Sequence, residues 1–191
     1  MAMVEPVLFQ LVGYQNSGKT TAMYEVIHRL STKGFKIVTI KHHGHGGKPD
    51  MVENKDSARH VDAGALASLI EGEGRVLLQA EKADWCLAEQ LQLASALSPD
   101  TILIEGHKHE VFPKGVLLRD EGDLHLLKEL TNIKIILCRQ PEMANMLQRD
   151  LPFPVYSEVE GFYSWIVKYV ETAVTSLDNA NSSDILRNKN S

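Results

Sequence analysis

The amino-acid sequence predicts an α/β fold, in which helices flank a mostly parallel sheet that has a short antiparallel strand extension. An apolar strand at 7–12, a helical pattern at about 20–32 and a β-favouring run at 35–40 follow one another. Such a unit nearly always crosses over right-handed into a parallel sheet. Further strand and helix patterns alternate along the rest of the chain. Two short strands at 65–70 and 76–79 are separated only by a turn, which predicts the antiparallel pair.

The first elements are predicted by their apolar patterns. The strand at 7–12 is short and apolar and ends at Gly13, which is typical of a buried parallel strand. The helix that follows carries its apolar side chains on one face, and Gly34 supplies its stop. The run at 35–40 is rich in residues that favour strands. The segment 41–56 holds histidines, glycines and few apolar residues, so it is predicted to be a long functional or mobile loop.

The later elements follow the same rules. Residues 85–97 have an amphipathic helical pattern, which Ser98-Pro99-Asp100 ends. The remaining predicted elements are strands at 101–104, 115–118 and 133–138, a helix after Pro141, a short strand from Val155 and a closing helix at 162–177. From Asp178 the chain is rich in Asn, Ser and Asp, which predicts frayed structure. We therefore expect one domain, 1–177, and a disordered tail, 178–191.

Composition narrows the class of protein. The chain has 191 residues, of which 43% are hydrophobic and 24% charged, close to the average for globular domains. Its formal net charge of −5 argues against a nucleic-acid-binding surface. No apolar run approaches the roughly 18 residues that span a bilayer, so we expect no membrane partner. The two cysteines, Cys86 and Cys138, are expected to be buried reduced thiols of a cytoplasmic protein.

The glycine-rich loop after the first strand carries the strongest motif. Residues Gly13–Thr20 match G-x-x-x-x-G-K-[ST] at every fixed position, between a predicted strand and a predicted helix. Glycines let consecutive N–H groups surround phosphate oxygens, and the helix adds the positive end of its dipole. The predicted nucleotide-binding residues are Gly13, Asn16, Ser17, Gly18, Lys19, Thr20 and Thr21. Among them, Lys19 reaches the β and γ phosphates, Thr20 binds Mg²⁺ and Thr21 touches an α-phosphate. The fold is therefore predicted to be P-loop NTPase-like.

A nucleoside triphosphatase also needs an acid at the end of a neighbouring strand. Glu105 directly follows the apolar strand at 101–104, and Gly106 lets the backbone approach the phosphates. We therefore predict that Glu105 binds Mg²⁺ and, together with Lys19, serves catalysis. Asp56 is either a second acid near Mg²⁺ or the cap of a short helix through Arg59 and His60.

Basic residues and histidines leave two further interpretations open. Lys108, Lys114 and Arg119 form either a solvated loop or an anion site for a second phosphorylated ligand. The histidines of the long loop, among them His42 and His45, could ligate nickel or zinc, although their spacing alone is weak evidence. An Asn/Thr-Lys-x-Asp signature for guanine does not occur at a suitable place in the sequence. The residues alone therefore leave GTP and ATP equally open.

Three blocks in a fixed order cover residues 7–120. The first ends in Ser-Gly-Lys-Thr-Thr at 17–21. The second is Thr-Ile-Lys-His-His-Gly-His at 39–45, with Lys-Asp-Ser at 55–57 and Ala-Gly-Ala at 63–65. The third is Asp-Thr-Ile-Leu-Ile-Glu-Gly-His-Lys at 100–108, followed by Pro113, Lys114 and Arg119. Together they resemble the molybdopterin-guanine dinucleotide biosynthesis protein B (MobB) family, which usually has an aromatic residue where His107 stands.

The resemblance implies a homodimeric P-loop GTP-binding protein with weak hydrolysis. Such a protein assists the guanylyltransferase that joins GMP to molybdopterin or molybdenum-bound molybdopterin. The resemblance places Gly18, Lys19, Thr20 and Glu105 at the nucleotide and Mg²⁺. It places the loop 42–45 and the region 108–119 at the second ligand or the partner protein. Two alternatives stay open, a nickel or zinc metallochaperone GTPase and a P-loop small-molecule kinase or ligase.

Overall fold

The computed structural model describes residues 5–43 and 56–188 and shows a central parallel sheet with helices on both faces. The strands are β1 (Val7–Gly13), β2 (Ile37–Lys41), β3 (Ala67–Gly72), β4 (Arg75–Ala80), β5 (Thr101–Glu105), β6 (Lys114–Leu118), β7 (Ile133–Cys138) and β8 (Val155–Tyr156). The helices are α1 (Lys19–Thr32), α2 (Asp56–Asp62), α3 (Leu87–Ser95), α4 (Leu126–Glu129), α5 (Pro141–Asp150) and α6 (Val159–Asn188), with a 3-10 turn at Glu121–Asp123. The six-stranded sheet has the order β2-β5-β1-β6-β7-β8 and every pairing in it is parallel.

Side chains alternate across the strands, so each face of the sheet buries its own apolar set. On one face, Phe9 and Leu11 of β1 pack with the apolar stripes of α1 and α6. On the other face, Val12 and Val116 pack with residues of α4 and α5, while Ile102 lies in a cluster with residues of α3. Burial on both faces explains why these strands are almost continuously apolar. The P-loop NTPase-like α/β fold predicted from the sequence is confirmed.

The carboxyl ends of the central strands meet at one edge of the sheet. Leu11 of β1 lies level with Glu105 of β5, and Glu105 lies level with Lys41 of β2. The glycine-rich loop leaves β1 at this same edge and enters α1. Ligands of open α/β sheets bind outside the carboxyl ends of the strands. The fold thus brings the predicted phosphate loop and the predicted acid together.

The antiparallel pair β3–β4 forms a sheet of its own, with Leu69 opposite Leu78 and Ile70 opposite Leu77. The predicted antiparallel strands are confirmed, as a separate hairpin. These four side chains are exposed, at 63% for Leu69, 50% for Leu78, 39% for Ile70 and 47% for Leu77. Because neighbouring residues of a strand point to opposite faces, the hairpin exposes apolar side chains on both faces.

Several elements differ from the sequence prediction. Helix α6 runs from Val159 to Asn188 rather than over 162–177, because helix propagation costs little once the buried part has formed. The short α4 and the 3-10 turn before it were not predicted.

The two cysteines have different environments. Cys138 is buried as expected, but the prediction for Cys86 is wrong, since it lies exposed at the amino end of α3; both are free. None of the helices in the described ranges is long and apolar enough to cross a membrane. The domain boundary at 177 stays a prediction.

Candidate nucleotide-binding site

The phosphate loop joins β1 to α1, and its geometry requires its glycines. A Cβ at position 13 would lie 2.6 Å from the Leu117 carbonyl oxygen and 2.7 Å from Ser17 Oγ. Gly18 has a φ of +93°, in the left-handed region that other residues rarely adopt, and it immediately precedes α1. The N–H groups of the first turn of α1 and the positive end of its dipole therefore lie at the loop. This strand–loop–helix arrangement suits phosphate binding.

An open cleft of about 790 Å³ lies at this edge of the sheet. The phosphate loop, the end of β2 and the loop after β5 line it. The predicted site residues in its lining are Gly13, Asn16, Lys19, Thr20, His42, Glu105 and Lys108. Ser17, Gly18, Thr21 and Arg119 lie outside its lining. His45 and the side chain of Asp56 fall outside the described residues, although α2 does begin at Asp56, as the capping alternative requires.

Lys19 is held against the backbone of the phosphate loop. Its Nζ donates a hydrogen bond to the Tyr14 carbonyl oxygen at 2.6 Å. Burial lowers the pKa of Lys19, and the charges of Lys41 and Arg119 lower it further, while Glu105 acts in the opposite direction. Three cationic side chains therefore lie near one another at the loop. An anion placed among them would relieve their mutual repulsion.

Thr20, Glu105 and Lys41 form the polar centre of the cleft. Thr20 Oγ1 donates to Glu105 Oε1 at 2.8 Å, and Lys41 Nζ lies 3.4 Å from that same oxygen and donates to Thr20 Oγ1 at 3.3 Å. The Glu105 side chain is 9% exposed and that of Lys41 is 57% exposed. A hydroxyl beside a buried carboxylate supplies the hard oxygen ligands that Mg²⁺ prefers. Sequence reasoning paired Thr20 with Glu105, but it did not place Lys41 beside them.

Histidine rings lie on the wall of the cleft next to Glu105. The His42 and His107 ring centroids are 4.6 Å apart, and their planes are tilted by 48°. Burial lowers the pKa of His107, and His42 lowers it further. Among the described residues, no group of three histidine, cysteine or acidic side chains is placed to hold a metal ion. The nickel or zinc alternative therefore gains no support from this part of the chain.

Two buried polar side chains fix the loop that follows Glu105. Gln10 Nε2 donates to the carbonyl oxygens of Gly106 and His107 at 3.0 and 2.9 Å. Lys114 is completely buried, and its Nζ donates to the carbonyl oxygens of Lys108 and Glu110. The suggestion that Lys114 belongs to an exposed anion site is thus wrong. Lys114 begins β6, away from the carboxyl ends of the strands, and its ammonium group is used inside the protein.

A second cluster surrounds Tyr14 in the phosphate loop. Lys108 Nζ lies 4.9 Å and the Arg119 guanidinium carbon 5.1 Å from the Tyr14 ring centroid. The Tyr14 hydroxyl lies 2.7 Å from His125 Nε2. Arg119 also forms an ion pair with Asp123 at 2.7 Å. The structure thus brings the predicted basic residues Lys108 and Arg119 together, on an aromatic ring that occupies a variable position of the motif.

Sequence reasoning missed Tyr14, Asp123, His125 and Arg139. No local pattern pairs Arg119 with Asp123, because Arg119 directly follows a strand and Asp123 lies in a short 3-10 turn. A strand-end position was the signal for Arg139, which follows β7 and whose Nη2 would lie 3.0 Å from a Cβ at Gly18. The contact between Tyr14 and His125 joins residues 111 positions apart, and neither has a local signature.

Comparisons with known proteins identify the family of the chain. The family model described as molybdopterin guanine dinucleotide synthesis protein B matches residues 8–139. A probable molybdopterin-guanine dinucleotide biosynthesis adapter protein of Bacillus subtilis (strain 168) is 40% identical over 145 residues, covering 75% of this chain and 83% of that protein. The adapter protein of Escherichia coli (strain K12) is 29% identical over 167 residues, covering 86% and 93%.

Solved structures give the same result. The crystal structure of Bacillus subtilis MobB superposes with a TM-score of 0.72 at 34% identity, covering 85% of this chain and 96% of that one. A MobB homologue from Bacillus stearothermophilus has a TM-score of 0.66 at 30% identity, covering 86% and 98%. With the family model matching residues 8–139 and these relatives covering most of both chains, the chain belongs to the molybdopterin guanine dinucleotide synthesis protein B (MobB) family.

Proposed function

We propose that this chain is a GTP-binding adapter with weak GTPase activity in molybdenum cofactor biosynthesis. It assists a separate guanylyltransferase that joins GMP to molybdopterin, free or molybdenum-bound, to form molybdopterin guanine dinucleotide. The observation that carries the proposal is the phosphate loop facing Glu105 in a chain of this family. Relatives from Bacillus subtilis and Escherichia coli carry the names of adapter proteins in this synthesis. Two free cysteines agree with a cytoplasmic location.

The site residues fit a nucleotide with its Mg²⁺ ion. The loop N–H groups and Lys19 would hold the phosphates. Thr20 Oγ1 and the Glu105 carboxylate, 2.8 Å apart, would hold Mg²⁺. When bound, the ion would neutralise phosphate charge. Glu105 Oε1 accepts from Thr20 and lies 3.4 Å from Lys41 Nζ, so the carboxylate is held in place beside the Thr20 hydroxyl.

Nucleotide binding is tested by thermal protection. GTP with Mg²⁺ should raise the melting temperature more than ATP, and chelation of Mg²⁺ should reduce the effect. Lys19→Ala should remove most of the protection, because charge-assisted contacts of this kind contribute about 2–5 kcal/mol. Lys128→Ala, on the exposed side of α4, is the matched control. Equal protection of the wild type and Lys19→Ala would contradict the assignment.

The adapter role is tested by reconstitution. Adding this protein to a guanylyltransferase with molybdopterin and GTP should increase formation of the dinucleotide, and Lys19→Ala should not. Stimulation by Lys19→Ala equal to that by the wild type would show that nucleotide binding is not part of the role. No stimulation at any protein ratio would contradict the role itself and favour the kinase or ligase alternative.

We propose that the functional unit is a homodimer in which the two copies contact each other through the β3–β4 hairpin. Exposed apolar side chains on a hairpin are unusual for a monomer, and a second copy of the same hairpin would cover the face that carries Leu69 and Leu78. Light scattering should report a dimer for the wild type and a monomer for Leu78→Glu. Leu97→Glu is the matched control, since Leu97 is 72% exposed just after α3, outside the hairpin. A monomeric wild type would contradict this proposal.

A further inference from the structure

Arg119 is held in one orientation beside the phosphate loop. Its Nε and Nη2 donate to the two carboxylate oxygens of Asp123 at 2.9 and 2.7 Å, and its backbone N–H donates to the same carboxylate at 2.9 Å. Asp123 is 1% exposed, so the acid is fixed by its surroundings. Such two-point contacts between guanidinium and carboxylate set geometry as well as energy. One edge of the guanidinium is therefore committed to Asp123.

The other end of the guanidinium faces the loop. Arg119 Nη1 donates to the Gln15 carbonyl oxygen at 3.3 Å, while Lys19 Nζ donates to the preceding carbonyl, that of Tyr14, at 2.6 Å. Two cationic side chains thus lie on consecutive carbonyl groups of the phosphate loop. Nη1 carries two hydrogens, and the contact with Gln15 uses one of them. The positive charge of Arg119 also lowers the pKa of the Lys19 amine.

From this geometry we propose that Arg119 contacts the terminal phosphate of the bound nucleoside triphosphate and that Asp123 is its positioning residue. The inference rests on the proposed nucleotide binding. A lysine of this motif reaches the β and γ phosphates, so the terminal phosphate lies near Lys19 and hence near Nη1 of Arg119. A guanidinium supplied by the same chain is a known way to stabilise terminal-phosphate charge. The site then distinguishes a triphosphate from a diphosphate.

The phosphate group of a second ligand would present the same chemistry to Arg119 as the terminal phosphate of the nucleotide. Binding experiments can distinguish these two sources of phosphate. Calorimetry would measure the affinities for GTPγS and GDP, both with Mg²⁺, and the affinity of GTPγS-loaded protein for inorganic phosphate. The variants are Arg119→Gln, which retains an amide donor for Asp123, and Asp123→Asn. The double variant Arg119→Gln/Asp123→Asn leaves no unpaired buried charge if Arg119→Gln alone does not fold. Arg149→Ala, in the last turn of α5, is the matched control.

We expect Arg119→Gln and the double variant to lower GTPγS affinity at least tenfold and GDP affinity less than twofold. Asp123→Asn should lower the ratio of the two affinities by a smaller factor, and Arg149→Ala should leave it unchanged. Equal losses for GTPγS and GDP would overturn the inference, since Arg119 would then support only the loop. Unchanged nucleotide affinities with weakened phosphate binding would also overturn it, in favour of a second ligand. If the wild type binds neither nucleotide, the proposed function fails, and this inference with it.

Discussion

Replacing Glu105 by glutamine separates the two tasks that its carboxylate performs. The substitution keeps the shape of the side chain at the end of β5 and removes its charge. In the folded protein the carboxylate accepts from Thr20 Oγ1 at 2.8 Å and lies 3.4 Å from Lys41 Nζ. Glutamine can still accept the hydroxyl hydrogen bond, but it gives up the ion pair. In the proposed site it also gives up a charged Mg²⁺ ligand.

The cost to stability follows from these contacts. At the observed 3.4 Å the Coulomb attraction between Glu105 and Lys41 would be about 5 kcal/mol at an effective dielectric constant of roughly 20. Since the Lys41 side chain is 57% exposed, solvent screening reduces the pair to about 1 kcal/mol. Weakening the charge-assisted bond from Thr20 adds about 1 kcal/mol. For a chain of this size the total lowers the melting temperature by about 4–8 °C.

The effect on binding has opposite signs with and without Mg²⁺. The negative charge of Glu105 acts to raise the pKa of Lys19 and so partly offsets the lowering caused by burial. The same negative charge repels an incoming phosphate. Without Mg²⁺, Glu105→Gln should therefore bind GTP at least as tightly as the wild type. With Mg²⁺, it should lose the added affinity, about 10–150-fold for a charged contact worth about 1.5–3 kcal/mol.

Calorimetry of GTP binding, once with Mg²⁺ and once with EDTA, measures both effects. Glu129→Gln, an exposed carboxylate in α4, is the control. A Glu105→Gln variant whose affinity still rises fully with Mg²⁺ would show that the carboxylate is not an ion ligand. A variant that loses GTP affinity equally in both conditions would show that Glu105 only supports the loop.

Two other predictions concern stability. Lys114→Met should lower the free energy of unfolding by about 1–3 kcal/mol, because the carbonyls of Lys108 and Glu110 lose their buried donor, and denaturant titration measures it. No change would mean that the desolvation cost of this lysine offsets its hydrogen bonds. Hydrogen bonds from Arg29 hold the pKa of Glu160 at about 2, below its usual 4.5. The stabilisation is therefore present above pH 4.5 and is lost as the pH falls towards 2, so Glu160→Gln should flatten thermal stability over that range, and an unaltered profile would contradict this.

How far the site could be predicted depends on where each residue lies along its strand. Residues at or directly after the carboxyl end of a parallel strand reach the ligand edge, which is why Glu105 was correctly placed with Thr20. The same rule places Lys41, at the end of β2, beside them. It fails for Lys114, which is close in sequence to the other basic residues but begins its strand instead of ending it. Sequence proximity is therefore a weaker guide than position along the strand.

The strand-end rule does not predict the contacts of the cluster around Tyr14. The rule brings Arg119 to the ligand edge, since it directly follows β6, but it does not say which group will orient the side chain. That choice depends on a 3-10 turn of only three residues, which buries Asp123 within reach of the guanidinium. Short turns have no periodicity, and an exposed fraction of only 1% for a carboxylate is opposite to what residue type alone predicts. Because a buried carboxylate requires a charged partner, the burial of Asp123 is itself the reason that Arg119 has a defined orientation at the phosphate loop.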